Sequence, residues 1–218
     1  SGEALEILLK NINKQYSGEL IYLETRNFND YSAYKTVFEN QKWQYNPWLN
    51  YHLSAIDAAS VKKNMSSSRV RQIKKATNSG ATWKQANTIE DVESFYKILL
   101  SLYTEKVKKP LLPWVFFKTY FQKKIGKYFL VYYEERVIGG IMCPVLEGIA
   151  VYEFYVCGLD QEYKEQYPSV MATWAAIEYA LQNNIPLFDF MGAGAPDEGY
   201  GVREFKERFG GKQVEHGR

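Results

Sequence analysis

Histidine and cysteine are scarce in this sequence, which contains two of each among 218 residues. His52 and His216 are too few for a convincing Ser-His-Asp triad or a histidine-rich zinc site, so we predict no metal centre. Cys143 and Cys157 lie on strands expected to pair as a hairpin turning near Gly148, in a register that does not place them opposite each other. The sequence therefore favours buried free thiols and a reducing, cytoplasmic compartment.

Long apolar runs and an excess of charge of either sign are also missing. No apolar stretch reaches the roughly 18 residues of a transmembrane helix, and no signal-peptide pattern is visible. The 27 basic and 25 acidic residues nearly cancel, which argues against a strongly basic nucleic-acid-binding protein. Apolar residues make up 46% of the chain, enough for a sizeable core. We therefore predict a globular protein with no integral membrane segment.

The stretch from Gly148 to Gly211 has the most regular pattern. β-Branched and aromatic residues at 149–157, and again at 187–191, predict two strands. Between them an apolar repeat at helical spacing, beginning at Pro168, predicts a helix. A strand–helix–strand unit of this length forms a crossover connection, so we expect the two strands to be parallel neighbours that splay apart at their C-terminal ends.

The remaining elements are predicted from hydrophobic period and turn residues. The C-terminal part, residues 61–218, is predicted as an α/β domain with a mixed sheet flanked by helices: a strand near Trp83, helices at 91–107 and 113–125, then antiparallel strands at 127–133, 137–145 and 149–157. The N-terminal part, residues 1–60, is predicted as a separate lobe with a helix at 3–16, a strand at 19–24, a short helix after Asp30 and an extended segment at 43–53. No final strand is predicted at 213–218.

Two motifs in the segment that begins at Tyr167 resemble those of the FemAB family: Phe188-Asp-Phe-Met-Gly192 and Phe205-Lys-Glu-Arg-Phe-Gly-Gly211. The resemblance covers the chain from Ser66 onward. It implies a GNAT-like acyltransferase fold, which the family usually carries in two copies, so residues 1–60 would be a partial first copy. It also implies a bacterial transferase that attaches amino acids from aminoacyl-tRNA to precursors of the cell wall, such as those of peptidoglycan.

Lys206 is the first candidate catalytic residue. It belongs to the last predicted helix, 202–209, whose buried face we assign to Val202, Phe205 and Phe209. The FemAB resemblance places the lysine of this Phe-Lys pair near the acyl-transfer centre, where its cation would stabilise developing negative charge. The alternative is an exposed lysine on an amphipathic helix. In either case its replacement should change stability by no more than about 0.5 kcal/mol.

Glu153, on the strand at 149–157, is the second candidate catalytic residue. A carboxylate between apolar neighbours can act as a general base with a raised pKa. Strand alternation places Tyr155 on the same face. The alternative is a glutamate at the edge of the sheet that pairs with an arginine. Asp189 on the next strand is similarly ambiguous, and we regard it as mainly structural.

A basic helix following Ser66 supplies candidate substrate contacts. Arg71 and Lys75, four residues apart, share a helix face and would bind phosphates of a nucleotide-linked substrate or of tRNA. The alternative is a solvated helix face. The full set of predicted substrate-binding residues is Phe205, Tyr155, Arg69, Arg71, Lys75, Tyr167 and Arg203.

The loop before Pro168 bears on the identity of the donor. GNAT enzymes that use acyl-CoA cradle its pyrophosphate on glycine-rich backbone amides at a helix N-terminus. Here bulky side chains and the two glutamates Glu162 and Glu165 occupy the loop, so an acyl-CoA is disfavoured and no cofactor is expected.

These observations predict transfer of an acyl or aminoacyl group to an amino group. The donor would be aminoacyl-tRNA, the acceptor an amine-bearing precursor of the cell envelope, and the acceptor's own amine the nucleophile. Two alternatives stay open. One is an acyl-CoA-dependent N-acyltransferase that modifies polysaccharide or lipid, and the other is a catalytically silent binding lobe.

Overall fold

A computed structural model describes residues 1–16, 18–25, 30–197 and 201–217. Within these ranges the chain forms an eight-stranded mixed sheet with the order β2-β3-β4-β5-β7-β1-β8, in which β6 also pairs with β4. The strands are Pro47–Ser54 (β1), Thr82–Gln85 (β2), Gly126–Tyr133 (β3), Arg136–Leu146 (β4), Ala150–Tyr152 (β5), Tyr155–Gly158 (β6), Leu187–Asp189 (β7) and Lys212–Gly217 (β8). The predicted α/β fold with a mixed sheet flanked by helices is confirmed.

Helices cover both faces of the sheet. They are Gly2–Tyr16 (α1), Lys35–Asn40 (α2), Ala58–Asn64 (α3), Ser67–Asn78 (α4), Ile89–Leu102 (α5), Trp114–Gln122 (α6), Pro168–Gln182 (α7) and Gly201–Glu207 (α8), with a 3₁₀ turn at Ser32–Tyr34 and a π-helical turn at Tyr103–Val107. Two hydrophobic cores lie on opposite faces of the sheet, one between the sheet and α7 (the α7 core) and one between the sheet and α5 and α6 (the α5–α6 core). Side chains of β3 alternate between them: Phe129 and Val131 enter the α7 core, and Tyr128 and Leu130 enter the α5–α6 core.

The predicted crossover between the strand at 149–157 and the strand at 187–191 is confirmed. β5 and β7 are parallel, with Val151 opposite Phe188 and Tyr152 opposite Asp189. Helix α7 connects them and begins at Pro168, whose missing N–H leaves no intrahelical hydrogen bond unmade at that position.

The predicted strand at 149–157 is interrupted at Glu153 and Phe154, which separate β5 from β6. Against β4, Val151 pairs with Val145, but Tyr155 pairs with Met142. One extra residue therefore lies on the β5–β6 side, which is a β-bulge. After the bulge β6 stays with β4 while β7 has already ended, so the two parallel strands diverge.

The N-terminal part contributes a strand to the same sheet. β1 pairs antiparallel with β7 on one side and with β8 on the other. Helices α1 and α2 lie outside the sheet around a small apolar cluster of Leu9, Phe38 and Tyr45. The domain division near residue 60 stays a prediction, with the constraint that β1 lies between two strands of the C-terminal part.

Two strand predictions are wrong. Residues 19–24 form no strand; Ile21 is fully exposed, and strand propensity without a pairing partner does not make a ladder. Conversely, residues 212–217 form β8, because residues 47–52 of β1 offer an edge with which all six of them pair.

The two cysteines are free and buried, as predicted. Cys143 packs in the α7 core and Cys157 in the α5–α6 core, so they lie on opposite faces of the sheet. Burial raises the pKa of both thiols. Among the described residues, none of the helices has the length and apolar character needed to cross a membrane. The same residues include no group of three or more His, Cys, Asp or Glu side chains placed to hold a metal ion.

The glycine pair after α8 has a structural reason. Gly210 has φ +85°, and a Cβ there would lie 2.5 Å from the backbone of Asn64 at the end of α3. Gly148 has φ +70° with no atom within 4 Å of its Cβ position. Gly148→Ala should therefore lower the free energy of unfolding only by the cost of placing alanine in the left-handed region, about 1–2 kcal/mol.

We expect Gly210→Ala to destabilise the protein by the same backbone cost and, in addition, by about 1–3 kcal/mol from overpacking against α3. Urea denaturation of the two variants side by side measures the difference. Equal losses would contradict the close approach of α3 to Gly210.

Candidate functional site

The candidate site lies where β5 and β7 end. In open α/β sheets, ligands bind in the crevice beyond the C-terminal ends of parallel strands that diverge. Glu153 follows β5 directly, the turn Phe190–Gly192 follows β7, and α8 brings Lys206 to both. Residues distant in sequence therefore meet at the point of divergence.

Lys206 is buried rather than exposed, with 6% of its surface accessible. Its Nζ lies 3.1 Å from Glu153 Oε1. It also donates to the carbonyl oxygens of Phe190 at 2.5 Å and Gly192 at 2.8 Å. Each of the three N–H groups of the ammonium thus has an acceptor. The alternative of a solvated lysine is wrong. The small change in stability expected for its replacement assumed an exposed position, and burial removes that assumption.

Glu153 is also buried, at 5% exposure. Its Oε2 accepts a hydrogen bond from Thr173 Oγ1 of α7 at 3.3 Å, and its backbone N–H donates to Asp189 O at 2.8 Å. Its charged partner is Lys206, so the alternative of an edge glutamate paired with an arginine is wrong. The arrangement is a buried ion pair with additional hydrogen bonds on both members, which offset part of the desolvation of the two charges.

Tyr155 does not share a face with Glu153. Its ring packs 5.4 Å from that of Phe117 and 6.0 Å from that of Tyr103, centroid to centroid, on the α5–α6 side of the sheet. The bulge at Glu153 and Phe154 is the reason, because the extra residue shifts the alternation of side chains by one. The sequence pattern alone showed no sign of the bulge.

A buried polar network beside the ion pair was not predicted as functional. Asp189, 2% exposed, accepts hydrogen bonds from Asn50 Nδ2 and from Met191 N, both at 2.7 Å. His52 Nε2 lies 3.3 Å from its other carboxylate oxygen. Burial by itself raises the pKa of Asp189, but the contact with His52 and the hydrogen bonds from Asn50 and Met191 outweigh it and leave the pKa below the ordinary value.

A sequence signal for this network existed. In β1, which lies in the predicted extended segment at 43–53, Leu49, Tyr51 and Leu53 enter the core. The intervening positions hold Trp48, Asn50 and His52. A polar residue between buried neighbours of a central strand faces other residues instead of water, and therefore requires a partner.

Arg69 and Phe205 form a structural clamp between α4 and α8. The Arg69 guanidinium stacks 4.4 Å from the Phe205 ring centroid and 4.3 Å from that of Phe209, and donates to Phe205 O at 2.9 Å. Arg69 is 2% exposed. Burial, aided by the charge of Arg208, lowers its pKa to about 10. Val202, assigned to the same buried face of α8, is instead 39% exposed, whereas Lys206 of α8 and Phe209 after it are buried.

The remaining predicted contacts lie around the loops. Arg71 is exposed, and Lys75 pairs with Glu165 at 2.9 Å, so both belong to the surface of α4 facing the loop before α7. Tyr167 ends that loop with φ 44° and packs partly buried on the core. Arg203 holds the loop after β7 by donating to the carbonyls of Ala193 and Ala195. Residues 198–200 of that loop lie outside the described residues.

The N-terminus of α7 is closed by an acidic side chain. Asp160 accepts hydrogen bonds from Ser169 N at 3.1 Å and from Ser169 Oγ at 2.5 Å. Its carboxylate therefore stands at the end of the helix where an anionic ligand would otherwise be favoured.

Comparison with known proteins agrees with the motifs. Residues 135–216 match the model of the FemAB family, a stretch that contains both FemAB-like motifs. The resemblance drawn from the sequence is confirmed: this part of the chain is FemAB-like. Among curated proteins, none matches the sequence.

Solved structures share the fold at low sequence identity. The crystal structure of FemX has a TM-score of 0.74 at 11% identity, over 100% of this chain and 77% of FemX. The C-terminal domain of a protein described as a putative lysylphosphatidylglycerol synthetase, from Agrobacterium fabrum, has a TM-score of 0.70 at 9% identity, over 100% of this chain and 73% of that one. L-PGS from Bacillus licheniformis has a TM-score of 0.60 at 11% identity, over 85% and 64% of the two chains. At these identities the likeness concerns the fold.

The buried ion pair predicts a coupled loss of stability. Lys206→Met should destabilise the protein by about 3–5 kcal/mol, because it leaves the Glu153 carboxylate buried without its counter-ion. Adding Glu153→Gln should recover a large part of that loss. Denaturation of wild type, both single variants and the double variant gives the coupling energy. Additive losses in the double variant would contradict the pairing.

Proposed function

We propose that this chain catalyses transfer of an aminoacyl group from aminoacyl-tRNA to the amino group of a cell-envelope precursor in the bacterial cytoplasm. The observation that carries the proposal is the buried Lys206–Glu153 pair at the divergence of β5 and β7, within the FemAB-like segment. The fold shared with FemX supports the same reaction class.

The proposed reaction needs no protein nucleophile. The acceptor amine attacks the ester carbonyl of the donor, a tetrahedral oxyanion forms, and the ester C–O bond breaks to give an amide. The ribose oxygen of the tRNA leaves with a proton, and the nitrogen releases one. The contribution of the protein is to align amine and ester and to stabilise the oxyanion.

In this proposal Lys206 is the group that stabilises that charge. Its hydrogen bond to Gly192 O is the most open of its contacts, since Gly192 is only partly buried. In the proposed mechanism the oxyanion replaces this carbonyl as the third acceptor. Glu153 and Phe190 O keep the ammonium in place, so Glu153 acts as counter-ion rather than as general base.

The acidic cap of α7 favours tRNA over acyl-CoA as donor. Asp160 occupies the helix N-terminus through Ser169, and Glu162 and Glu165 add negative charge to the same loop. A pyrophosphate there would face carboxylates instead of free amides. An acyl-CoA-dependent enzyme and a silent binding lobe are the competing possibilities.

A donor screen separates the three. The purified protein is given aminoacyl-tRNAs labelled on the amino acid, or labelled acetyl-CoA, with amine-bearing nucleotide-linked and lipid-linked cell-wall precursors as acceptors. We expect label to pass from tRNA into an amide, and acetyl-CoA to bind too weakly for calorimetry at micromolar concentrations. Transfer from acetyl-CoA would establish the acyl-CoA reaction instead. Absence of transfer from every donor by the folded, full-length protein would favour the silent lobe.

The role of Lys206 is tested by the double variant that regains stability without regaining the positive charge. In Lys206→Met/Glu153→Gln we expect stability close to wild type but turnover lower by about 10²–10³, the usual effect of losing one charge-stabilising donor. Substrate affinity should change little, because the oxyanion exists only in the transition state. Turnover within about twofold of wild type would show that Lys206 is structural.

A further inference from the structure

We infer that Asn50, in the N-terminal strand β1, is a positioning residue for the candidate active site. Together with Asp189 it holds the turn Phe190–Gly192, whose carbonyl oxygens bind the Lys206 ammonium. The catalytic consequence rests on the proposed function, whereas the positioning itself does not.

The side-chain amide of Asn50 forms hydrogen bonds both to β7 and to the turn that follows it. Its Nδ2 donates to Asp189 Oδ1 at 2.7 Å, and its Oδ1 accepts from Gly192 N at 2.8 Å. The same Oδ1 accepts from Tyr51 N at 2.8 Å, which fixes the orientation of the side chain. Asn50 is 2% exposed, so water does not replace these contacts.

Asp189 completes the hold on the turn. Its Oδ1 accepts from Met191 N as well as from Asn50 Nδ2, so the two successive backbone N–H groups of Met191 and Gly192 are bound by two buried side chains. His52 lies against the other carboxylate oxygen, and the ring of His216 lies 5.4 Å from that of His52. Tyr152 also faces this carboxylate: burial, and after it the charge of Asp189, raises the pKa of Tyr152.

The backbone of the turn requires such support. Met191 has φ 56° and Gly192 has φ 108°, and a residue with a side chain rarely adopts the left-handed region. Strained conformations persist where the surroundings over-determine them. Trp48 adds a further limit, because its Nε1 would lie 3.1 Å from a Cβ at position 192.

Because the turn is held in place, its carbonyl oxygens fix the position of the Lys206 ammonium. Gly192 donates its N–H to Asn50 and offers its carbonyl to Lys206 Nζ at 2.8 Å, so a single peptide residue joins β1 to the candidate catalytic group. Phe190 O, one residue after β7, is the second carbonyl on Nζ. Loss of Asn50 would release the turn that carries both carbonyls, so the ammonium would no longer be held where the oxyanion can take the place of Gly192 O.

The test compares Asn50→Leu, which has a similar volume and lacks all three hydrogen bonds, with Asp189→Asn. The side-chain amide introduced by Asp189→Asn would keep an oxygen acceptor for Asn50 Nδ2 and Met191 N, so this variant preserves the turn while removing the charge. Tyr128→Phe is the matched control, since it removes one buried hydrogen bond, of 3.0 Å, in the other core. Lys206→Met assigns the lysine signal.

The first readout needs no activity. In ¹⁵N-detected NMR of lysine ammonium groups, we expect a slowly exchanging Lys206 signal in wild type, Asp189→Asn and Tyr128→Phe, and its loss in Asn50→Leu. In wild type the amide protons of Met191 and Gly192 should exchange slowly as well. That measurement stands even if Asn50→Leu does not fold. Rapid exchange of both amides, or an unchanged Lys206 signal in Asn50→Leu, would overturn the inference.

The second readout is kinetic. We expect Asn50→Leu to lower kcat by about 10- to 100-fold with KM within about threefold, as displacement of a catalytic group does. Asp189→Asn should lower kcat less than Asn50→Leu does, and Tyr128→Phe should have the kcat of wild type. An Asn50→Leu enzyme with wild-type kcat would overturn the positioning role. If wild type transfers no aminoacyl group, the proposed function fails, while the NMR result decides the positioning separately.

Discussion

The buried ammonium of Lys206 is the constraint on which the site depends. A charge with 6% exposure is compatible with folding only when acceptors surround it, and Glu153, Phe190 O and Gly192 O supply three. These acceptors come from two loops, the bulge after β5 and the turn after β7, and the turn is held in place by Asn50 of the strand β1. The position of α8 on the sheet is therefore coupled to the geometry of both loops.

The β-bulge at Glu153 and Phe154 gives the site its shape. Without the extra residue, Glu153 and Tyr155 would share a face and the strand would continue alongside β4 without a break. With it, Glu153 points toward α7 and α8 whereas Tyr155 joins the α5–α6 core. The bulge also separates β6 from the end of β7, the position at which ligands bind in open α/β sheets.

Strand β1 links the N-terminal part to the chemistry. One face, Leu49, Tyr51 and Leu53, extends the α7 core, while the other face brings Asn50 and His52 to Asp189. Because β1 lies between β7 and β8, loss of this strand would break the sheet and remove the support of the Phe190–Gly192 turn. Arg69, one of the predicted substrate-binding residues, fastens α8 through the rings of Phe205 and Phe209.

Local pattern by itself determined the fold class, the parallel pairing of the two C-terminal strands, the start of α7 at Pro168, the free cysteines and the FemAB-like motifs. These follow from hydrophobic period, crossover length and residue types that act within a short window. The FemAB resemblance pointed to Lys206 and the strand pattern to Glu153, but neither showed that the two residues pair. The bulge, the burial of Lys206, the network of Asn50 and Asp189 and the strand β8 were decided by tertiary structure, because each depends on a partner from a distant part of the chain. A buried polar group has no local signature beyond its alternation with apolar neighbours, since only the folded protein supplies the acceptor that makes its burial tolerable.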